Sequence, residues 1–234
     1  MKKIGFISLG CSKNLVDTEM MIGLMEKAGY EMTEDLNEAN VIIINTCTFI
    51  DAAKDESVQT LLQATEYKKN GKCEKLVAAG CLSQQVQEGL AREIPELDVL
   101  LGTESWSKIL DAVNESYRTG KQVNCFDSAP CEHEELIPRQ LVTPKYTAYV
   151  KIAEGCNNGC TFCYIPYVRG KARSRPIPSV VHEVKRLAAQ GVKEFNLIAQ
   201  DLSYYGRDLG DGTNLAGLLR ELVKVEGVKW IRLF

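Results

Sequence analysis

The chain has 234 residues, 45% hydrophobic and 25% charged. Those are ordinary values for a globular protein with a sizeable core, and they exclude a disordered tail, a collagen-like fibre and a low-complexity linker. Its 28 basic and 31 acidic residues leave a net charge of −3, so no whole-chain field draws it to nucleic acid or to a membrane. No apolar run approaches the ~18 residues that a membrane span needs.

Lys2-Lys3 ahead of the apolar residues 4–9 resembles the start of a signal peptide. The apolar stretch is short, however, it runs into Cys11-Ser12-Lys13-Asn14, and no small-residue cleavage site follows, so a cytoplasmic protein is expected. Nine cysteines are too few for a disulfide scaffold and too many to pass over in a reducing compartment, where clustered thiols bind metal or do chemistry.

In chain order, residues 3–9 form a short apolar strand. Met21, Leu24, Met25 and Ala28 then recur at helical spacing, with Gly29 as the stop. Residues 41–44 are β-branched and apolar on both faces, as a central parallel strand requires. Val58, Leu61, Leu62 and Thr65 mark a second helix that ends at Gly71, and residues 75–79 a third strand. Ser83 is expected to cap a helix bearing Val86, Leu90 and Ile94, closed by Pro95. Residues 98–101 read as a strand and 105–118 as a helix ending at Gly120. Strands and helices alternating over short connections predict an α/β fold with a doubly wound parallel sheet over residues 1–120.

Residues 121–144 hold Pro130, Pro138, Pro144 and an acidic run (Glu132, Glu134, Glu135), and are expected as a linker. Alternation resumes in a second domain, 145–234. It has strands at 146–153, 195–199 and 228–234, a helix capped by Ser179, and a helix opened by Asn214 with Leu215, Leu218, Leu219 and Leu222 on one face.

Two cysteine constellations stand out. Cys156, Cys160 and Cys163 form a C-x3-C-x2-C loop directly after a predicted strand. Three thiolates suit an iron–sulfur cluster and leave one iron open to a non-protein ligand. A zinc knuckle and chance clustering are the alternatives, and a knuckle lacks a fourth ligand: His182 lies on a helix and His133 in the linker. Cys11, Cys47 and Cys81 are dispersed, yet each follows a predicted strand, and in a parallel sheet those strand ends share one edge. They are a second three-thiolate set or, alternatively, three buried small hydrophobes. Cys73, Cys125 and Cys131 lack glycine framing and are expected to be non-ligands.

Together these motifs resemble the methylthiotransferase family of radical S-adenosylmethionine (SAM) enzymes along the whole chain. In the first half the resemblance rests on Ser8-Leu9-Gly10-Cys11-Ser12-Lys13-Asn14, Asn45-Thr46-Cys47 and Ala79-Gly80-Cys81. In the second it rests on Glu154-Gly155-Cys156 through Cys163, Tyr164-Ile165-Pro166, Arg173-Ser174-Arg175-Pro176 and Ile198-Ala199-Gln200-Asp201-Leu202. Within the family it points to the branch that methylthiolates an aspartate of a small-subunit ribosomal protein. The tRNA-adenosine branch typically sets its first cysteine in Tyr-Gly-Cys-Gln-Met-Asn, where this chain has Leu9-Gly10-Cys11-Ser12-Lys13-Asn14. The non-enzyme alternative, an iron–sulfur electron carrier, requires four protein ligands per cluster, and neither triplet has a fourth cysteine nearby.

The resemblance implies two 4Fe–4S clusters. The one on Cys156, Cys160 and Cys163 would bind SAM and generate a radical that takes a hydrogen from the aspartate β-carbon. The one on Cys11, Cys47 and Cys81 would handle sulfur, which a second SAM methylates. It also implies an electron donor such as flavodoxin or ferredoxin, with no membrane and no direct nucleic-acid contact. Tyr164, beside Phe162, is a candidate for SAM's adenine, with ordinary core packing as the alternative. Gln200 and Asp201, at the carboxyl end of the second barrel strand, are candidates for SAM or substrate, with loop capping as the alternative. Arg169, Lys171, Arg173 and Arg175 either steer an acidic group or form a solvated face. Family members complete a six-stranded partial (βα) barrel and add a C-terminal TRAM domain, so a chain ending at Phe234 is expected to be a fragment.

Overall fold

The computed structural model describes residues 1–126 and 129–234. Positions 127–128 of the expected linker lie outside the described residues. The chain divides into two compact units, Met1–Cys131 with Pro138–Gln140, and Glu132–Ile137 with Leu141–Phe234.

The first unit runs β1 (Lys3–Ser8), α1 (Ser12–Lys27), β2 (Glu31–Met32), β3 (Val41–Thr46), α2 (Asp51–Asn70), β4 (Lys75–Gly80), α3 (Cys81–Val86), α4 (Glu88–Glu93), β5 (Val99–Leu101), α5 (Ile109–Thr119) and β6 (Val123–Cys125). Its six strands lie in the order β2-β1-β3-β4-β5-β6, and every pairing is parallel. Ile42, Ile44, Leu76, Ala78 and Leu100 point to one face and pack against Leu61 and Ala64 of α2, Leu82 of α3 and Leu90 of α4. Successive strand residues alternate faces, so Ile43, Val77 and Val99 point to the other side, where α1 and α5 meet each other and the sheet. Helices therefore cover both faces, and the doubly wound expectation holds.

Three sequence expectations change in this unit. Four strands were expected; β2 and β6 extend the sheet at both edges, and β6 lies inside the stretch expected as linker. The helix expected around Val86, Leu90 and Ile94 is two short helices, because the backbone turns at Gln87 with φ +51°. Gln84 Oε1 accepts from the Thr103 amide, Gln85 is tied to Thr48, and Leu90 is drawn into the core. Those ties aim α3 and α4 in different directions.

The second unit contains β7 (Thr147–Lys151), β8 (Ala153–Glu154), α6 (Ile165–Val168), β9 (Arg173–Ser174), α7 (Ile177–Ala189), β10 (Glu194–Ile198), α8 (Leu215–Leu222) and β11 (Trp230–Leu233). β11-β10-β7 form a parallel three-stranded sheet, and β8 pairs antiparallel with β9. Ala148, Val150, Phe195 and Leu197 cover one face together with Val180, Val184 and Leu187 of α7 and Leu218 and Leu222 of α8. These are two strand–helix repeats of a parallel barrel, as expected. Asn214 caps α8 by accepting from the Gly217 amide at 2.9 Å. Ser179 does not cap α7: the helix starts at Ile177 after Pro176, because Pro178 fits the first turn, where no amide proton is needed. Among the described residues no helix is long and apolar enough to cross a membrane.

Candidate metal centres

In the first unit the chain order places a topological switch between β1 and β3. The connection out of β1 leads to β2 on one side, and β3 then pairs on the other. Helices leave such a point on opposite faces and open a crevice at the carboxyl ends of the strands. Ser8 pairs with Asn45 and Thr46 with Gly80, so β1, β3 and β4 end level with one another. Cys11 then precedes α1 as its N-cap, Cys47 directly follows β3, and Cys81 opens α3. Cys11 is exposed, whereas Cys47 and Cys81 are buried, and all three are free thiols.

The backbone at this edge is tightly built. A Cβ on Gly10, whose φ is +84°, would lie 2.6 Å from Cys47 Sγ, so only glycine lets the segment entering Cys11 approach Cys47 this closely. A Cβ on Gly80 (φ +89°) would lie 2.2 Å from Asn45 Oδ1, which is buried without a hydrogen-bond partner. The Ser57 hydroxyl accepts from the Cys47 amide and donates to the Cys47 carbonyl, both at 2.9 Å, which fixes the Cys47 peptide against α2.

In the second unit Cys156, Cys160 and Cys163 lie in the loop between β8 and α6. Gly155 opens it at φ +68°, where a Cβ would meet the Lys171 carbonyl at 2.1 Å. The Cys156 amide donates to the Gly170 carbonyl at 3.1 Å, bracing the loop on the segment before β9. Two asparagines that sequence reasoning passed over hold its first turn. Asn157 accepts from the Ala172 amide at 3.0 Å and donates to the Tyr204 hydroxyl at 2.9 Å, and Asn158 donates to Asp201 Oδ2 at 2.9 Å. Their only sequence signal is their place between two cysteines. Hydrogen bonds from Ser203 and Asn158 keep the Asp201 carboxyl below its usual range.

Gln200 Nε2 lies 3.4 Å from Glu154 Oε1, and Gln200 Oε1 is buried with no hydrogen-bond partner. Glu154 also pairs with Arg169, whose side chain is 1% exposed. Tyr164 stacks on Tyr167 at 5.1 Å between centroids, and both, with Phe162, are exposed. Of the cation run, Arg169 and Arg175 are consumed by structure. Arg175 pairs with Glu183 and donates to the Lys151 carbonyl at 2.8 Å, so only part of the run faces solvent.

Among the described residues no three His, Cys, Asp or Glu side chains converge tightly enough to hold one metal ion. Two three-cysteine sets are the donor number for clusters that each keep one open iron. Cys73 is different: it lies in the core at the amino end of β4, and burial pushes its thiol up to about 11. Burial also raises Cys125. Changing Cys73, Cys125 and Cys131 together to serine should leave the iron content of reconstituted protein unchanged. A measurable fall would show that one of them is a ligand.

Two family models match the chain: "Uncharacterized protein family UPF0004" over residues 3–102 and "Radical SAM superfamily" over 150–233. The ribosomal protein uS12 methylthiotransferase RimO of Syntrophotalea carbinolica is 51% identical over 99% of the chain and 51% of that relative. The protein of the same name from Symbiobacterium thermophilum is 51% identical over 99% of the chain and 47% of its own length. Among solved structures, the radical SAM methyltransferase TsrM of Kitasatospora setae superimposes with a TM-score of 0.59 at 14% identity, covering 96% of this chain and 51% of that one. The cobalamin-dependent radical SAM enzyme OxsB does so with a TM-score of 0.62 at 11% identity, covering 98% and 38%. At such identities these two show the fold alone. The chain spans about half the length of the curated relatives it matches. The two models in tandem and the half-identity along 99% of the chain agree: along nearly its whole length the chain is similar to radical SAM methylthiotransferases.

Proposed function

We propose that this chain carries the cluster- and SAM-binding machinery of a methylthiotransferase acting on an aspartate β-carbon of a small-subunit ribosomal protein, uS12. The observation that carries the reading is the pairing of two three-thiol sets. One lies along the level carboxyl ends of β1, β3 and β4, the other in a glycine-opened loop after β8. When bound, two 4Fe–4S clusters and SAM supply the radical that removes an unactivated hydrogen, and the sulfur and methyl group that replace it.

The protein's own residues bind, orient and shield. Cys11, Cys47 and Cys81 are the ligands of one cluster, and Cys156, Cys160 and Cys163 those of the other. Gln200 Oε1, buried and without a partner, is an acceptor suited to an ammonium donor such as SAM's amino group. Arg169 holds Glu154 in place beside Gln200. Tyr164, backed by Tyr167, offers an aromatic face to adenine. Asp201 holds Asn158 and through it the cysteine loop, which combines the capping role with one beside the cofactor. An external one-electron donor of the flavodoxin or ferredoxin type completes the system, working in the cytoplasm beside the ribosome.

Choosing ribosomal protein over tRNA is supported by the names of the relatives and by Leu9-Gly10-Cys11-Ser12-Lys13-Asn14. Mass spectrometry of ribosomal proteins and tRNA from cells lacking the gene tests it. Loss of the methylthio group from the uS12 aspartate, with tRNA adenosines unaffected, is the expected result. Loss from tRNA with the aspartate intact would overturn the reading.

A further inference from the structure

Asn14 stands three residues into α1 from Cys11, and its side chain touches all three segments that bear the first cysteine set. Nδ2 donates to the Leu9 carbonyl at 2.9 Å, two residues before Cys11. The same nitrogen donates to the Thr46 carbonyl at 2.9 Å, immediately before Cys47. Oδ1 lies beside Cys81 Sγ at 3.9 Å, a hydrogen bond that the free thiol donates and that a cluster-bound thiolate gives up, so the two Nδ2 bonds are the ties that persist in the loaded site. Asn14 itself is 0% exposed. Its backbone is fixed in turn: the Asn14 carbonyl accepts from Asn45 Nδ2 at 2.8 Å and from Thr18 Oγ1 at 2.9 Å.

We propose that Asn14 is the positioning residue of the N-terminal cluster site, a buried amide that sets the spacing of the Cys11, Cys47 and Cys81 ligand segments. Two donors on one nitrogen bridge the Leu9 and Thr46 carbonyls, and the same buried amide lies against the Cys81 segment. Aspartate has the same shape but turns both donors into acceptors facing carbonyl oxygens, which leaves those buried carbonyls unmet. The three segments come from strands that are neighbours only in the folded sheet, so no local hydrogen bond can substitute.

The inference rests on the three-thiolate reading of that site, and its test separates the two. The full chain carrying Cys160→Ala, which isolates the N-terminal site, is reconstituted anaerobically and compared with versions that also carry Asn14→Asp or Asn14→Ser. Iron and sulfide per chain, the rate of iron loss to a chelator, and the midpoint potential and EPR spectrum of the reduced cluster are recorded. Circular dichroism of the apo forms reports folding. The expected result is folded apo protein in both variants, with iron reduced several-fold. Any residual cluster should be lost to chelator at least tenfold faster and show an altered EPR signature. Variants that hold the same iron with the same potential and spectrum as the Cys160→Ala parent overturn the proposal alone. Unfolding of both apo variants overturns it too, since Asn14 would then be a general stabiliser. A parent that binds no iron overturns the three-thiolate reading and the proposal with it.

Discussion

Anaerobic reconstitution should bring the wild-type chain to about eight irons and eight sulfides, the content of two cubane clusters. Cys160→Ala should remove about half, and Cys47→Ala the other half. The halves should separate because the two sets belong to different units, each with its own core. Cys160 is exposed in a loop, so its truncation creates no cavity and leaves the first unit intact. Cys47 is buried, but its peptide stays anchored to Ser57 through two backbone hydrogen bonds that the substitution does not touch. A cluster left with two thiolates loses a third of its protein ligands and is expected to dissociate during desalting. Iron and acid-labile sulfide assays make the measurement. A wild-type plateau near four irons would show that only one set assembles a cluster.

Glu19→Ala should be strongly destabilising. The Glu19 carboxylate sits inside the first unit with Arg139, whose Nε donates to Oε2 at 2.8 Å, and the two side chains are 1% and 0% exposed. The Gln140 amide adds a hydrogen bond to the Glu19 carbonyl at 3.0 Å, so the segment Pro138–Gln140 is fastened along α1. Gly23 permits the approach, since a Cβ there would lie 2.3 Å from the Pro138 carbonyl oxygen. Removing one partner of a buried ion pair costs up to about 3–5 kcal/mol. At a urea dependence of about 2 kcal/mol per molar, that lowers the unfolding midpoint by roughly 2 M. Replacing both residues with apolar ones of similar volume should recover most of the loss, because well-packed apolar groups carry no charge to desolvate. A shift below about 0.5 M for Glu19→Ala would show that the pair is accessible to water, where ion pairs contribute at most about 1 kcal/mol.

Much of the second cysteine set is legible in one dimension because its geometry is local. Gly155, Cys156, Cys160 and Cys163 fall within nine residues, and a loop that short keeps its thiols within reach of one cluster whatever surrounds it. The first set needed one further step. Cys11, Cys47 and Cys81 are far apart in sequence, and only the inference that each follows a parallel strand places them on one edge. The level ends of β1, β3 and β4 agree with that inference. The strands themselves were readable because buried parallel strands are continuous apolar runs, as in Val41–Thr46 and Lys75–Gly80. The two-residue β2 and the partly exposed β6 carry no such run, and both were missed.

Local chemistry thus determined the α/β alternation, the two cysteine sets and the positions of most helices, since periodicity, glycine stops and ligand type are written along the chain. The tertiary structure decided what depends on partners distant in sequence. Arg139 meets Glu19 across 120 residues, turning part of an apparent linker into a piece of the first unit. Arg169 and Arg175 leave an apparent cationic run to pair with Glu154 and Glu183. Asn14 becomes a three-way tie only when β1, β3 and β4 end side by side. Charged and amide groups reveal their roles last because their energetics depend on which groups share their burial, and burial is set by the assembled sheet.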